Sequence, residues 1–142
     1  MLFRSRDYVD ILFLHEPSAE VINADEFIIW LENQRKKGLL RNWGLAGPPE
    51  RYAEWVRSSS GLAQVLQIPD SALSNNNVIS EKKRPYQLTY GCLSRKKKEG
   101  HNLNISEVIC SALARNIYGT VVVSSRKIRH LSNLAEIAEK IR

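Results

Sequence analysis

The sequence is poor in cysteine, and this absence excludes two kinds of site. Cys92 and Cys110 are the only cysteines among 142 residues, and they stand apart from the three histidines. Such a pair provides neither a disulfide framework nor the clustered ligands of a zinc site. We therefore expect no metal site, and we expect both thiols to be buried or neutral.

Long apolar runs are absent as well. The most apolar stretches, residues 11–14 and 121–123, are far shorter than the roughly 20 residues that cross a bilayer. Residues 1–10 carry charges but lack the apolar core and small-residue cleavage site of a secretory signal. No membrane segment is expected, and a cytoplasmic location follows as the default expectation.

The charge is basic but not distributed as in known nucleic-acid-binding motifs. A net charge of +6 suits nucleic acid, a phosphate-bearing cofactor or no particular ligand. Two basic runs, residues 82–84 and 95–98, lie in polar stretches, where charge runs usually face water. No RNA-binding strand, zinc finger or basic zipper is present, so nucleic-acid binding rests on charge alone.

Short apolar runs alternate with longer helical patterns, and this alternation predicts a parallel sheet. The predicted strands are residues 8–14, 39–45, 63–68, 86–90 and 120–123. Right-handed crossovers make such a series either a doubly wound open sheet or part of a (β/α) barrel. No linker divides the sequence, so we expect a single domain over residues 1–142.

Several signals mark the predicted helices. Asn23 and Glu26 offer a capping box for a helix that ends near the left-handed stop Gly38. Further helices are predicted after Pro48-Pro49, over residues 106–118, and from Ser124-Ser125 to the end. The first of these four should bury Phe27, Trp30 and Leu31, and the last should bury Ile128, Leu131, Leu134, Ala138 and Ile141.

Residues with useful chemistry follow each predicted strand. In chain order the strand ends carry His15, Ala46-Gly47, Gln67, Tyr90-Gly91 and Ser124-Ser125. Parallel α/β proteins bind ligands at the carboxyl ends of their strands, which predicts that these groups converge on one rim. Taken singly they leave alternatives open: a structural histidine, a core tyrosine, or an amide bonded to backbone.

Ser124-Ser125-Arg126 offers a phosphate site. Free backbone N–H groups at a helix start, two hydroxyls and a guanidinium together favour an anion. An ordinary serine cap beside an exposed arginine is the alternative. No GxGxxG or Walker sequence is present, which disfavours a Rossmann or P-loop site.

Five segments together resemble the aldo-keto reductases. The motif YVDILFLHEPS (residues 8–18) resembles the family's fourth strand, and QRKKGLLRNWGLAG (34–47) resembles its fifth. The segments VLQIPDSAL (65–73), QLTYGCLS (87–94) and GTVVVSSRKIRHL (119–131) resemble strands six to eight. The resemblance implies strands four to eight, the C-terminal half, of a (β/α)8 TIM barrel.

The resemblance also implies hydride transfer between NADPH, or less often NADH, and a small carbonyl substrate. His15 would be catalytic and hydrogen-bond the substrate carbonyl. The cofactor ligands would be Gln67 on the carboxamide, Tyr90 stacked on the nicotinamide, Gly91, Leu93 and Ser94 at the pyrophosphate, and Ser124, Ser125, Arg126 and Arg129 at the adenosine-side phosphate.

Two departures from the family pattern limit this activity. Ala46-Gly47 replaces a Ser-Asn pair that helps orient the carboxamide, and the family's catalytic tyrosine, lysine and aspartate lie on strands one to three. Tyr8 lies at the wrong end of its strand to substitute. We therefore expect a fragment that is inactive alone, or a non-catalytic binding or assembly module. Its two open strand edges favour self-association.

Overall fold

The computed structural model describes residues 7–51, 54, 63–71, 85–93, 104–117 and 119–141. The strands are β1 (Val9–His15), β2 (Leu40–Ala46), β3 (Val65–Pro69), β4 (Tyr86–Tyr90) and β5 (Gly119–Val122). The helices are α1 (Ala19–Ile22), α2 (Asp25–Lys36), α3 (Ile105–Arg115) and α4 (Ile128–Ile141), with a 3-10 helix over Pro49–Arg51. Most of the helix predicted after Pro48-Pro49, both basic runs and Ser94 lie outside these ranges.

The five strands form one sheet in which they follow each other in sequence order. The pairs β1–β2, β2–β3 and β4–β5 are parallel. A doubly wound sheet would reverse its strand order part-way, whereas a (β/α) barrel adds each strand beside the last. The order therefore selects the barrel arrangement, and the predicted α/β fold, a partial (β/α)8 barrel, is confirmed.

The chain divides into two compact units. The first contains β1, β2 and β3 up to Gln67. The second contains β4 from Gln87 onward, α3, β5 and α4, together with the segment that begins at Ile68. None of the helices in the described part of the chain combines the length and the apolar composition that a membrane span requires.

The core of the first unit lies between α2 and β2. Leu31, Trp43, Leu45 and Leu66 are fully buried. Trp43 and Leu45 share one face of β2 because side chains alternate along a strand, and the Trp43 Nε1 donates a 2.9 Å hydrogen bond to Glu32 Oε1 of α2. That face of β2 therefore packs against the helix.

β1 is less covered than its apolar sequence predicts. None of its seven residues is buried, and Val9 is half exposed. A nearly continuous apolar run is typical of a strand covered on both faces, whereas β1, at one end of the sheet order, is only partly covered.

The capping box predicted for α2 is also wrong. Its N-cap is Ala24, without a side-chain cap, while Asn23 ends the short helix α1. Ser18 begins α1, with its Oγ accepting the Val21 N–H at 3.4 Å. A four-residue helix has too few turns to give a periodic signal, so the sequence pattern misses it.

The rest of α2 agrees better with its sequence pattern. Leu31 is buried as predicted, but Trp30 is half exposed and stacks on the partly buried Phe27 with ring centroids 6.0 Å apart. Gly38, with φ of +75°, follows the last turn in the left-handed conformation predicted for it.

The core of the second unit lies between α3, α4 and the strands. Its buried residues are Cys92, Val108, Ile109, Ala112 and Leu134. In α4 only Leu134 of the predicted stripe is buried; Ile128, Leu131 and Ala138 are exposed, and Ile137 packs against the core instead. The side chain of Ile141 lies outside the described part.

Candidate functional site

In the first unit, His15 and Gln67 lie in one row across the carboxyl ends of three strands. His15 pairs in register with Ala46, and Ala46 pairs with Gln67. Paired residues of parallel strands point to the same face, and neighbouring strands lie about 4.8 Å apart. The two side chains therefore start about 10 Å apart on one face, with a small buried alanine between them.

The chain turns sharply just after β1 and β2. Glu16 has a φ of +46°, and its N–H donates to the Ala46 carbonyl at 2.8 Å. Gly47 has a φ of +120°, and a Cβ there would lie 2.7 Å from Glu16 Cγ. The stem of Glu16 thus passes where a larger residue at position 47 would place its side chain. The sequence gives no local signal for this contact, because it joins residues 31 positions apart.

A pocket of about 200 Å³ lies within the second unit, at the carboxyl ends of β4 and β5. It is lined by Tyr90, Gly91, Cys92, Leu93, Val122, Val123 and Ser124. Tyr90 and Val122 are register partners, so the two strands deliver their last residues at the same level. Gly91, at φ +79°, then turns the chain into a helical turn at residues 92–93.

This pocket brings together four of the residues singled out from the sequence: Tyr90, Gly91, Leu93 and Ser124. Sequence reasoning missed Cys92 as a pocket residue, although it stands between Gly91 and Leu93; the available signal was its position two residues after a strand. Ser94 lies outside the described residues, and the pocket lining does not include Ser125, Arg126 or Arg129.

Ser125 holds a turn. Its Oγ accepts the Lys127 N–H at 3.1 Å and lies 3.4 Å from His130 Nδ1. Helix α4 therefore begins at Ile128, later than the start predicted at Ser124-Ser125. The Ser125 hydroxyl therefore closes a turn ahead of the helix and does not cap α4 itself. Arg126 and Arg129 are exposed, on the turn and in the first turn of α4.

Cys92, in the wall of the pocket, is a thiol of low reactivity. Burial raises the pKa of the Cys92 thiol, and the negative charge of Asp70 raises it further. Asp70 is itself buried and is paired with Arg115 Nη2 at 2.6 Å. Cys92 is therefore a buried thiol that is neutral at physiological pH, as expected from the sequence. Cys110 is exposed, so the expectation of burial does not hold for it.

Solved structures with the same arrangement of elements are aldo-keto reductases. The apo form of an aldo-keto reductase from Bacillus halodurans is 16% identical and superposes with a TM-score of 0.71, over 94% of this chain and 57% of that chain. Its holo form gives a TM-score of 0.63 over 94% and 56%. The chain has the fold of part of an aldo-keto reductase. A Brucella melitensis aldo-keto reductase, 13% identical, gives a TM-score of 0.58 over 92% of this chain and 55% of that chain.

The chain spans about half the length of the aldo-keto reductases that it matches. At these identities the likeness is one of fold, and at that level the resemblance stated from the sequence is confirmed. The sequence matches no protein-family model, and comparison with curated proteins finds no significant match.

Proposed function

We propose that the chain binds a nicotinamide dinucleotide at the carboxyl ends of its strands, as part of an oxidoreductase that acts on a carbonyl or alcohol substrate. The observation that supports this most is the pocket in the second unit, which combines Tyr90 to Leu93 with Val122 to Ser124 on an aldo-keto reductase fold. In barrels of this kind ligands bind at the carboxyl ends of the strands.

The groups that line the pocket suit part of a dinucleotide. Tyr90 offers an aromatic face for the nicotinamide ring, while the turn after Gly91 and the Ser124 hydroxyl offer hydrogen bonds to phosphate oxygens. Its volume of about 200 Å³ is below the roughly 300–1,000 Å³ of sites that enclose a drug-sized ligand. The pocket therefore fits one portion of the cofactor.

The exposed guanidiniums of Arg126 and Arg129 supply positive charge for the adenosine-side phosphate, which lies outside the portion of the cofactor that the pocket would hold. They lie on consecutive turns of one segment, and arginine recognises phosphate through paired N–H groups. Two cations favour the additional phosphate of NADPH over NADH. When bound, the cofactor supplies the hydride.

His15 and Gln67 have proposed roles in the first unit. The His15 ring makes no hydrogen bond within the described part of the chain and lies exposed at the end of β1, so a ring nitrogen is available to a substrate carbonyl. Donors placed at a developing alkoxide lower the barrier of carbonyl reduction. Gln67, in the same row, has an amide suited to the carboxamide of nicotinamide.

The resemblance assigns the general acid to strands that precede the equivalent of β1. We therefore expect this chain to bind cofactor, and we expect hydride transfer when β/α segments carrying a tyrosine, a lysine and an aspartate are supplied. The second candidate function, a non-catalytic binding or assembly module, is favoured by β1, a largely apolar strand without one buried residue.

The test is an NADPH titration followed by cofactor fluorescence, with Tyr90→Leu compared with wild type. The loss of aromatic stacking should weaken binding about tenfold, since such contacts contribute roughly 1–3 kcal/mol. Tyr86→Leu, a half-exposed tyrosine at the opposite end of the same strand, is the matched control and should bind as wild type does.

Three results separate the candidates. Saturable binding that depends on Tyr90, with consumption of NADPH by a test aldehyde once the complementary segments are added, supports the oxidoreductase. Binding without turnover in that mixture supports the module. An absence of saturable NADPH binding, or equal affinities for Tyr90→Leu and wild type, contradicts the proposed site.

A further inference from the structure

We propose that Asn116 is a positioning residue for the dinucleotide pocket. Its amide fixes β4 against β5 and thereby sets the spacing of the pocket's two rims, which are residues 90–93 at the end of β4 and residues 122–124 at the end of β5. The ligand in this inference rests on the function proposed above. The positioning itself rests on contacts within the second unit.

The side chain of Asn116 bridges the two strands from the end of α3. It is only 4% exposed. Its Nδ2 donates to the Gln87 carbonyl and Thr89 Oγ1, both at 3.2 Å, and to the Thr120 carbonyl at 3.3 Å. Because the amide nitrogen carries two hydrogens, at least one of them is shared between acceptors.

The backbone of Asn116 adds the helix to this junction. Its N–H donates to the Ala112 and Leu113 carbonyls at 3.1 Å and ends α3, while its carbonyl accepts the Gly119 N–H at 3.1 Å, at the first residue of β5. A single buried residue thus joins α3, β4 and β5.

The strands approach closely enough at this point to exclude any side chain. A Cβ at Gly119 would lie 2.2 Å from the Gln87 carbonyl oxygen and 2.5 Å from Asn116 Oδ1. Thr89, whose hydroxyl accepts from Asn116, is fully buried. The position of the junction is therefore fixed by packing as well as by hydrogen bonds.

The β4–β5 register connects the Asn116 junction to the residues that line the pocket. Thr89 pairs with Val121, and the next pair, Tyr90 with Val122, lines the pocket. Tyr90 is one residue beyond Thr89, and Ser124 is three residues beyond Val121. A shift of β4 relative to β5 at Thr89 would therefore change the distance between Tyr90 and Ser124. Asn116 itself does not line the pocket, so it acts through the strands.

The decisive variant is Asn116→Asp. A carboxylate keeps the shape of the side chain but has no hydrogen to donate. It therefore presents oxygen to the Gln87 and Thr120 carbonyls, which can only accept, whereas the Thr89 hydroxyl can rotate to donate. Burial raises the pKa of such a carboxyl, so protonation at low pH restores one donor. We expect NADPH affinity about tenfold below wild type at pH 8, with the gap narrowing as the pH falls toward 5. Wild type has no such group at this position and should not show this recovery.

Asn104→Asp is the matched control. Asn104 caps the other end of the same helix, where its Oδ1 accepts the Ser106 N–H at 3.1 Å and its Nδ2 donates to Glu107 Oε1 at 3.0 Å. Aspartate keeps the N-cap and loses only the second bond, which lies on the exposed surface. Its NADPH affinity should equal that of wild type at both pH values. Thr89→Val, which removes one acceptor and keeps the shape, should weaken binding less than Asn116→Asp and decides the matter if the aspartate variant does not fold.

A second measurement separates this inference from the proposed function. In the free protein, the amide NMR resonances of Gly91 and Ser124 should move in Asn116→Asp and Thr89→Val but not in Asn104→Asp. A cooperative urea-unfolding transition for each protein establishes that the compared samples are folded. Moved resonances with unchanged NADPH affinity, or unmoved resonances, would overturn the positioning role. If wild type binds no NADPH, the proposed function fails, and the resonances alone decide whether Asn116 sets the pocket rims.

Discussion

Two glycines of the second unit differ in the space around their α-carbons. A Cβ at Gly91 would meet no atom within 4 Å, so Gly91→Ala should cost only the strain of a left-handed backbone, about 1–2 kcal/mol. At Gly119 the Gln87 carbonyl oxygen would be 2.2 Å away, and Gly119→Ala must separate β4 from β5, at roughly 3 kcal/mol or more. Urea unfolding of both variants measures the difference. Equal losses would show that the strands do not approach as closely as described.

The two cysteines should differ in reactivity. Burial and the Asp70 carboxylate raise the pKa of the Cys92 thiol, and only the thiolate reacts with alkylating reagents. Iodoacetamide should therefore modify the exposed Cys110 first and reach Cys92 only at high pH or on unfolding. Peptide mass spectrometry of wild type and Cys110→Ser gives both rates. Comparable rates at neutral pH would contradict the burial of Cys92.

Residues at strand ends could be found from the sequence, but those that act through distant partners could not. His15, Gln67 and Tyr90 were accessible because each directly follows or ends an apolar run. Asn116 bonds to residues 27 and 29 positions earlier in the chain, and no local pattern contains that contact. Its neighbourhood in the sequence shows only the end of a helix.

At the scale of elements, the contact between α2 and β2 should make stability depend on pH. The hydrogen bond from Trp43 and the nearby Arg35 hold the pKa of Glu32 below its ordinary value of 4.5. A carboxyl with a lowered folded pKa stabilises the protein above about pH 4.5 and loses this contribution as the pH falls through the folded pKa.

Glu32→Gln removes this dependence. At pH 7 we expect the variant to be about 1 kcal/mol less stable than wild type. Between pH 7 and about pH 3 wild type should lose more free energy of unfolding than the variant, as measured by urea unfolding at each pH. Parallel curves for the two proteins would mean that Glu32 does not bond to Trp43 in solution.

Element boundaries were predictable where an apolar run is bounded by a nearby glycine or proline. β4 has its predicted bounds, and β1 and β2 are each shifted by one residue. The start of α4 was not predictable, because the Ser125 hydroxyl binds the Lys127 N–H and forms a turn where the serines were expected to open the helix. The stripe of α4 also differs, since which apolar residues it buries depends on where α3 packs.

At the scale of the whole molecule, the sheet order places β1 and β5 at its two ends. An apolar strand with an open edge invites pairing with another chain, so we expect the chain to self-associate as its concentration rises. Val9→Lys introduces a charge at a half-exposed position of β1 and should shift sedimentation velocity toward monomer.

The control for this prediction is Ile29→Lys, an equivalent change at an exposed position of α2, away from the strand edges. It should leave the association unchanged. A wild-type chain that stays monomeric at every concentration, or equal effects of the two lysines, would contradict pairing through β1.

The alternation of strands and helices predicts the α/β class, but it could not choose between an open sheet and a barrel. Both architectures use the same crossover and the same apolar patterns; they differ in strand order, which is a property of the folded chain. The motifs from His15 to Ser125 favoured the barrel through family resemblance, and the sequential strand order agrees with it.

The most direct test of the proposed cofactor site is an NADPH titration followed by two-dimensional amide NMR of the intact chain. Saturable shifts should concentrate at residues 90–93 and 122–124, with smaller shifts at Arg126 and Arg129. Shifts that do not saturate, or that appear only at residues away from the pocket, such as the exposed face of α2, would contradict the site.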